Sequence, residues 1–340
     1  MKRHQKMSTI LISIIMIIIL CISICYTLGG KPAILNSNLL HRVYDNESRI
    51  SKNLKLDKFN SIKIDADLDF IEIVKSNEYK VQLDYSERYN NLTCKVENEK
   101  LIIKENDRKK YNSHVNLGIS EHKINSVTIC LPEDVYLNDI VIYSSNSDIT
   151  FKDVKSKIIY LESNYGDIDL NKVTSTSFYI NSRYSNIYMK DIMCKELFTQ
   201  DEYGSLEITN ISANSLETFL KNVDIIINNS SIDEIFKIKN QHGNTEIKKC
   251  DFRKFESNIK KGNLNIIYSD SNNFKIENKE GNIYFKSNNK ETFYNFYLSC
   301  EEGNIYLNEE KIGNNMYKDN NALTSVNVFC DKGNININLD

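Results

Sequence analysis

The sequence lacks the residue patterns that most often hold a metal ion or a catalytic group. Its five histidines are scattered, and its eight cysteines include neither a CxxC pair nor a cysteine–histidine spacing typical of zinc sites. The nine-residue repeat with paired glycines that builds calcium-binding β-rolls is also missing. We therefore expect no metal and no cofactor.

A carbohydrate-active enzyme is the catalytic class to test, because parallel β-helices include glycosidases and lyases. Glycoside hydrolysis needs two carboxylates about 5–10 Å apart, and a lyase needs a base over clustered acids. The outward acids Asp169, Glu207 and Glu246 fall in different repeats, and Arg183 and Arg253 are far apart in the sequence. Long insertions that would build a cleft are absent between Ser147 and Gly303. The sequence therefore predicts a protein that is not an enzyme.

An excess of basic residues is absent as well. The formal net charge is −3, and removing the three N-terminal cations Lys2, Arg3 and Lys6 leaves −6 for the remainder. An acidic chain argues against nucleic acid as a partner and against a polybasic lipid-binding face.

The sequence does contain one short pattern repeated ten times: a turn, then a strand that opens mostly on Asp or Asn. The turns follow one another at steps of 19, 19, 19, 19, 20, 19, 19, 22 and 30 residues. They begin at Ser147, Gly166, Ser185, Gly204, Val223, Gly243, Gly262, Gly281, Gly303 and Gly333. A fixed period near twenty residues indicates a stacked repeat fold.

Each repeat carries two stretches of alternating apolar residues. Counted from the first turn residue, positions +2 and +4 are apolar (Ile168, Leu170), as are positions −7 and −5 (Ile159, Leu161). Period-two alternation indicates a strand with one buried face, which one coil cannot cover alone. We predict an all-β, single-stranded parallel β-solenoid (β-helix) of about ten coils, right-handed as such crossovers nearly always are. Phenylalanines at −7 should form an interior aromatic stack: Phe178, Phe236, Phe255, Phe274 and Phe296.

Position +1 is Asp or Asn in nine of the ten turns. Asx side chains bond their own turn backbone and tolerate left-handed angles, and in register they would form a ladder along one corner. The ladder residues are Asp148, Asp167, Asn186, Asp224, Asn244, Asn263, Asn282, Asn304 and Asn334. A structural ladder is favoured over calcium ligation because Asn, which carries no charge, dominates the later turns.

The N-terminal segment predicts a membrane anchor. Three basic residues precede an apolar run of about twenty residues, which is the length needed to span a bilayer. Basic residues that flank such a span stay on the cytoplasmic side, so we expect the rest of the chain outside the cytoplasm. An uncleaved signal anchor is favoured because no small-x-small site follows; a cleaved signal peptide and a lipoprotein cysteine are alternatives. The predicted organisation is a cytoplasmic N-terminus (1–6), a transmembrane anchor (7–28), a stalk (29–54), an N-terminal β cap with irregular coils (55–135) and a regular solenoid (136–340).

The C-terminal repeats depart from the regular period. Residues 311–321 should protrude as a loop, and the final strand, residues 334–339, should leave an open edge for end-to-end pairing. Cys300 and Cys330 share position −3 and should be stacked neighbours. Buried free thiols are favoured there, and a disulfide is the alternative.

Three tyrosines form the sharpest surface feature. Tyr165, Tyr184 and Tyr203 occupy position −1 in successive coils, so we expect them at one exposed corner about 4.8 Å apart. Such a row is a candidate surface for sugar rings or for a partner's apolar edge. The alternative is that the rings only shield the turn and one another.

These repeats resemble a bacterial "putative adhesin" family of β-strand repeats, an envelope-associated domain of unknown function. The shared motifs are Gly-Asn-Ile at 281–283, 303–305 and 333–335, Gly-Asp-Ile at 166–168 and Ile-Cys-Leu-Pro at 129–132. The resemblance covers roughly residues 60–340. It implies a β-solenoid at the cell envelope without known catalytic residues, and some relatives resemble surface proteins of envelope-stress signalling.

These observations predict a single-pass protein of the cell membrane whose bulk lies outside the cytoplasm. It would act as a non-catalytic, adhesin-like binding or scaffold module for cell-wall polymer or a membrane protein. The alternative is a regulatory ectodomain that senses envelope stress through a membrane partner. A carbohydrate-active β-helix enzyme is the third hypothesis.

Overall fold

Nearly all of the structure is β-strand, which confirms the predicted all-β class. The computed structural model describes residues 49–86, 91–106 and 124–340. Its strands are β1 (Arg49–Lys55), β2 (Ser61–Asp65), β3 (Phe70–Ser76), β4 (Lys80–Ser86), β5 (Asn91–Glu97), β6 (Lys100–Asn106), β7 (Ser126–Pro132), β8 (Leu137–Ser144), β9 (Asp148–Lys152), β10 (Lys155–Tyr165), β11 (Ile168–Asn171), β12 (Thr174–Met193), β13 (Glu196–Asn228), β14 (Ser231–His242), β15 (Thr245–Lys248), β16 (Asp251–Lys261), β17 (Leu264–Ile267), β18 (Asp270–Glu280), β19 (Ile283–Lys286), β20 (Tyr294–Glu302), β21 (Ile305–Leu307), β22 (Glu310–Gly313), β23 (Asn315–Lys318), β24 (Thr324–Lys332) and β25 (Ile335–Asn338). A single 3₁₀ turn, Glu291–Phe293, precedes β20.

Two rows of parallel strands run along the molecule and share one core. The first row is β6–β2–β8–β10–β12–β13–β14–β16–β18–β24–β20. The second row is β7–β3–β9–β11–β12–β13–β15–β17–β19–β25–β21. In most neighbouring strands, the paired residues are one repeat apart in the sequence, as Ile168 and Ile187 are. Each coil therefore covers the apolar face of the next, as the repeat pattern requires.

The alternating positions of the sequence point into the core. Ile159, Leu161, Ile168 and Leu170 are all fully buried. The five phenylalanines of position −7 are buried too, but they do not form the predicted stack of five. Phe178 pairs with Leu197 and Phe296 with Val326, and the three that contact one another meet at steep angles. The Phe236 and Phe255 rings, for example, lie 5.2 Å apart at 61°, the edge-to-face arrangement that the ring quadrupole favours.

Both ends of the solenoid depart from chain order. At the C-terminal end, the last strands β24 and β25 lie between the β18/β19 coil and the β20/β21 coil. At the N-terminal end, the coil formed by β2 and β3 lies between the β6/β7 coil and the β8/β9 coil. The final strand is thus paired on both sides, and the predicted open edge at residues 334–339 is wrong.

Antiparallel strands cover the terminal coils. At the N-terminal end, β5 pairs with β6, and β4, backed by β1, pairs with β7. At the C-terminal end, β22 pairs with β21 and β23 with β20. Most of the loop predicted at residues 311–321 therefore consists of two short strands that pair with the terminal coil, because the edges of β20 and β21 would otherwise leave their backbone groups unpaired.

The described residues include no helix with the length and apolar character needed to cross a membrane. The predicted anchor at residues 7–28 and most of the predicted stalk lie outside the described ranges.

We predict that Gly262→Ala destabilises the chain far more than Gly313→Ala. Both glycines have positive φ, +148° and +134°, so each substitution carries backbone strain of about 1–3 kcal/mol. A β-carbon on Gly262 would lie 2.0 Å from the Gly243 carbonyl oxygen of the next coil, whereas nothing lies within 4 Å of one on Gly313. Midpoints of urea unfolding measure the difference, and equal losses would contradict steric control by coil stacking.

Deleting residues 310–318 should make the chain self-associate, because it removes the two strands that cover β20 and β21. Light scattering after gel filtration measures the mass of the full chain and of the deletion variant in the same detergent. Tyr317→Lys, at a side chain that is 72% exposed, is the control, because it keeps both covering strands. An unchanged mass for the deletion variant would contradict the capping role.

Candidate functional site

Parallel stacking brings Tyr165, Tyr184 and Tyr203 together at the corner between the two rows of strands. Tyr165 pairs in register with Tyr184, and Tyr184 with Tyr203. The ring centroids of the first pair lie 5.0 Å apart at 3°, and those of the second pair 4.9 Å apart at 7°. We call this column of three residues the tyrosine corner.

The stacking decides which part of each ring can meet a partner. Because the three rings cover one another's faces, Tyr184 has no free face on which a sugar could lie. The side chains are nevertheless 50%, 40% and 38% exposed, so the ring edges and hydroxyls face outward. The tyrosine corner therefore presents a row of three phenol groups at about the spacing of the strands, suited to edge contacts and hydrogen bonds.

Charged side chains flank the tyrosine corner. The Arg183 guanidinium lies 5.6 Å from the Tyr184 ring centroid, and the Lys221 ammonium 5.9 Å from that of Tyr203. Glu202 lies between the cations, 3.5 Å from Arg183 Nε and 3.8 Å from Lys221 Nζ. These groups are partly exposed, so the ion pairs add little stability. They do give the row of phenols a polar rim.

The Asx residues of position +1 form hydrogen bonds between coils. Asp148 Oδ1 accepts from the Asp167 backbone N–H at 2.8 Å, and Asn263 Oδ1 accepts from that of Asn282 at 2.8 Å. Equivalent bonds link Asp167 to Asn186, Asp224 to Asn244, Asn244 to Asn263, Asn282 to Asn334 and Asn334 to Asn304. These side chains thus accept from the neighbouring coil, not from their own turn. Their oxygens are occupied in holding the stack together.

Cys300 and Cys330 are neighbours in register on β20 and β24. Both are free buried thiols, and the alternative of a disulfide between them stays a prediction. Burial raises the pKa of Cys330 to about 12, which makes its thiolate rare near neutral pH and its reactivity low.

The described part of the chain contains no cluster of three His, Cys, Asp or Glu side chains that could hold a metal.

Sequence reasoning missed two features of the first row. Positions −4 and −6 place aromatic side chains on its outer surface: Tyr143, Tyr160, Tyr179, Phe198 and Phe219. The sequence contained a signal for these aromatic residues: they alternate with the apolar residues of the same strand, and residues that alternate with buried ones face outward. The second feature is Asp201, a carboxylic acid inside the core.

Asp201 lies beneath the tyrosine corner and is only 2% exposed. One carboxylate oxygen points at the turn, 3.2 Å from where a β-carbon on Gly204 would be. Burial raises the pKa of the Asp201 carboxyl to about 6. Ser182 and the N–H groups of Glu202 and Tyr203 lower the pKa only partly, since neither carboxylate oxygen makes a hydrogen bond of standard geometry.

Comparison with known proteins gives one family and several solved structures. The family model described as Toastrack DUF4097 matches residues 59–186 and 172–338. No curated protein matches the chain.

Three of the similar structures show the range of descriptions. A "putative adhesin" from Bacteroides fragilis is 13% identical, with 86% of this chain and 98% of that chain covered and a TM-score of 0.32. A "putative cell adhesion protein" from Clostridium sporogenes is 13% identical, with 86% and 100% covered and a TM-score of 0.23. A "putative lipid binding protein" from Parabacteroides distasonis is 16% identical, with 87% and 98% covered and a TM-score of 0.33. The resemblance drawn from the repeats is confirmed.

The contribution of Asp201 to stability should fall as the pH rises from about 4 to above 6. A carboxyl whose pKa is raised on folding stabilises the native state fully while it is protonated in both states, and this contribution is lost through the folded pKa of about 6. Asp201→Asn should remove this contribution and stabilise the chain relative to the wild type at pH 7.5 by up to about 3 kcal/mol. Urea unfolding of the wild type and the variant at several pH values tests this, with exposed Asp169→Asn as the control. A stability difference between wild type and Asp201→Asn that does not change with pH would contradict it.

Proposed function

This chain belongs to the Toastrack DUF4097 family, and we propose that it is a non-catalytic, adhesin-like binding module of the cell envelope. In this proposal the tyrosine corner contacts a repetitive partner, an envelope polymer. The span at residues 7–28 holds the module at the cell membrane with its bulk outside the cytoplasm.

The tyrosine corner is the observation that carries the proposal. Three partly exposed phenol groups lie in register, with ring spacings of 5.0 and 4.9 Å. A periodic row can meet a polymer at several units in one encounter, and each further contact is then intramolecular. Aromatic side chains with a polar tip are also suited to surfaces that are partly apolar and partly wet.

The stacked coils support the proposal because they fix the row before any partner arrives. Tyr165, Tyr184 and Tyr203 belong to strands paired on both sides. The backbone is therefore ordered in the free protein, and binding costs little conformational entropy. This preorganisation suits recognition of a surface without any chemical step.

Retention of envelope polymer tests the proposal. The full chain in mild detergent is immobilised, incubated with a detergent extract of cell envelopes that contains both wall glycan and membrane proteins, and compared with a variant that carries Tyr→Ala at all three corner positions. We expect the alanine variant to retain on the order of tenfold less polymer. Tyr188→Ala, at a side chain 39% exposed on the second row, is the control and should retain polymer normally.

A triple Tyr→Phe variant separates the roles of ring and hydroxyl. It keeps the stacked column and removes the three hydroxyl groups, so reduced retention would assign binding to the hydroxyls. Equal polymer retention by the wild type and the triple alanine variant would overturn the role of the tyrosine corner. A membrane protein retained equally by both, with no polymer, would favour the regulatory hypothesis.

A further inference from the structure

A groove with a volume of about 510 Å³ crosses the outer surface of the first row next to the tyrosine corner. It extends over strands β13, β14 and β16, and Glu202 and Lys221 border both the groove and the tyrosine corner. Its outward lining is formed by Phe198, Gln200, Glu202, Phe219, Lys221, Lys239, Gln241, Asn258 and Lys260. We call it the lysine groove.

An aromatic pair lies at one end of the lysine groove. The Phe198 and Phe219 rings are half-buried, with centroids 5.3 Å apart and an angle of 34° between the rings. These rings are tilted and partly exposed, so they differ from the rings of the tyrosine corner, which cover one another. A tilted, half-buried ring can accept the apolar face of a sugar.

Beside the aromatic pair, the lysine groove carries positive charge that is not fully matched by carboxylates. Among the described residues, Lys221 has an acidic neighbour, Glu202 at 3.8 Å. No ion pair within 4.0 Å joins Lys239 or Lys260 to a described carboxylate; Lys239 Nζ lies instead 5.2 Å from the Phe219 ring centroid. This excess of positive charge is local, since the formal net charge of the whole chain is −3.

Neighbouring lysines show that the missing carboxylates are a local feature. Lys237 lies 3.9 Å from Glu217, Lys254 2.7 Å from Glu256, and Lys275 3.5 Å from Glu277. These three lysines of the same row therefore have carboxylate partners within 4.0 Å, which Lys239 and Lys260 lack among the described residues. Gln200 and Gln241 add exposed amide groups, which can donate to and accept from sugar hydroxyls.

We propose that the lysine groove binds an acidic saccharide, with its carboxylate or phosphate at Lys239 and Lys260 and its ring on Phe198 and Phe219. This inference rests on the proposed function and names the class of polymer segment that the module recognises. A uronic acid and a sugar phosphodiester both give the lysines an anion, and neutral glycans do not.

Calorimetric titration of the full chain in detergent tests the inference with three probes. Trigalacturonic acid supplies carboxylates, a phosphodiester-linked hexose oligomer supplies phosphodiesters, and maltotriose is the neutral comparison. We expect at least one acidic probe to bind and maltotriose to bind at least about tenfold more weakly. Raising the salt concentration should weaken the acidic probe, because the lysines are partly exposed to solvent. The acidic probe that binds identifies the source of the anion.

Paired charge variants make the test specific. The Lys239→Gln/Lys260→Gln variant should lose at least about tenfold in affinity for the acidic probe. The Lys237→Gln/Lys275→Gln variant removes the same charge from lysines that already have carboxylate partners, and should bind normally. Phe219→Leu should weaken binding without changing its salt dependence. Unfolding midpoints of all variants should match the wild type, since these changes are at exposed or half-buried positions.

The outcomes separate this inference from the proposed function. Absence of binding by both acidic probes, or equal losses in the two lysine variants, would overturn the lysine groove even if envelope polymer is retained through the tyrosine corner. Specific binding of an acidic probe, with no retention of envelope polymer, would support the lysine groove and contradict the proposed function of the tyrosine corner.

Discussion

Hydrogen bonding between successive coils is the interaction on which the rest of this structure depends. Each strand of the two rows pairs with the equivalent strand of the next coil, so one repeat of sequence sets the environment of the next. The coils approach so closely at the turns that a β-carbon on Gly262 would overlap the Gly243 carbonyl. The same spacing places Asx oxygens within reach of the next backbone N–H and brings the three tyrosine rings to van der Waals distance.

A stack held together in this way must also end. An uncovered terminal coil exposes backbone donors and acceptors that invite another chain. In this protein the first described coil and the last coil of the chain lie inside the stack, and antiparallel strands cover the coils that are outermost among the described residues. The sides of the solenoid, where the repeated surface features lie, stay exposed.

The candidate sites reflect two consequences of repetition. Where the same residue recurs at one position, as at Tyr165, Tyr184 and Tyr203, stacking turns it into a periodic surface feature. Where the pattern changes, the surface changes with it: the register shifts near residues 213–215 and 232–235, and the outward residues of β13, β14 and β16 that line the lysine groove differ from coil to coil. Similarity between coils thus creates the row of phenols, whereas the lining of the groove does not repeat.

The sequence by itself determined the fold class, the alternation of buried and exposed residues and the alignment of columns such as the tyrosine corner. These follow from a period of about 19 residues, because equal coil lengths bring equivalent positions together in any parallel stack. Only the tertiary structure shows the order of the coils at both ends, the two covering strands at residues 310–318, the acceptor role of Asp167 and its equivalents toward the next coil, and the burial of Asp201. Each of these depends on which coil lies beside which, and residues 303 and 333 carry the same Gly-Asn-Ile motif whether their coils are inside the stack or at its end. Local pattern specifies the coil, whereas the pairing of otherwise exposed backbone edges selects the arrangement at the ends.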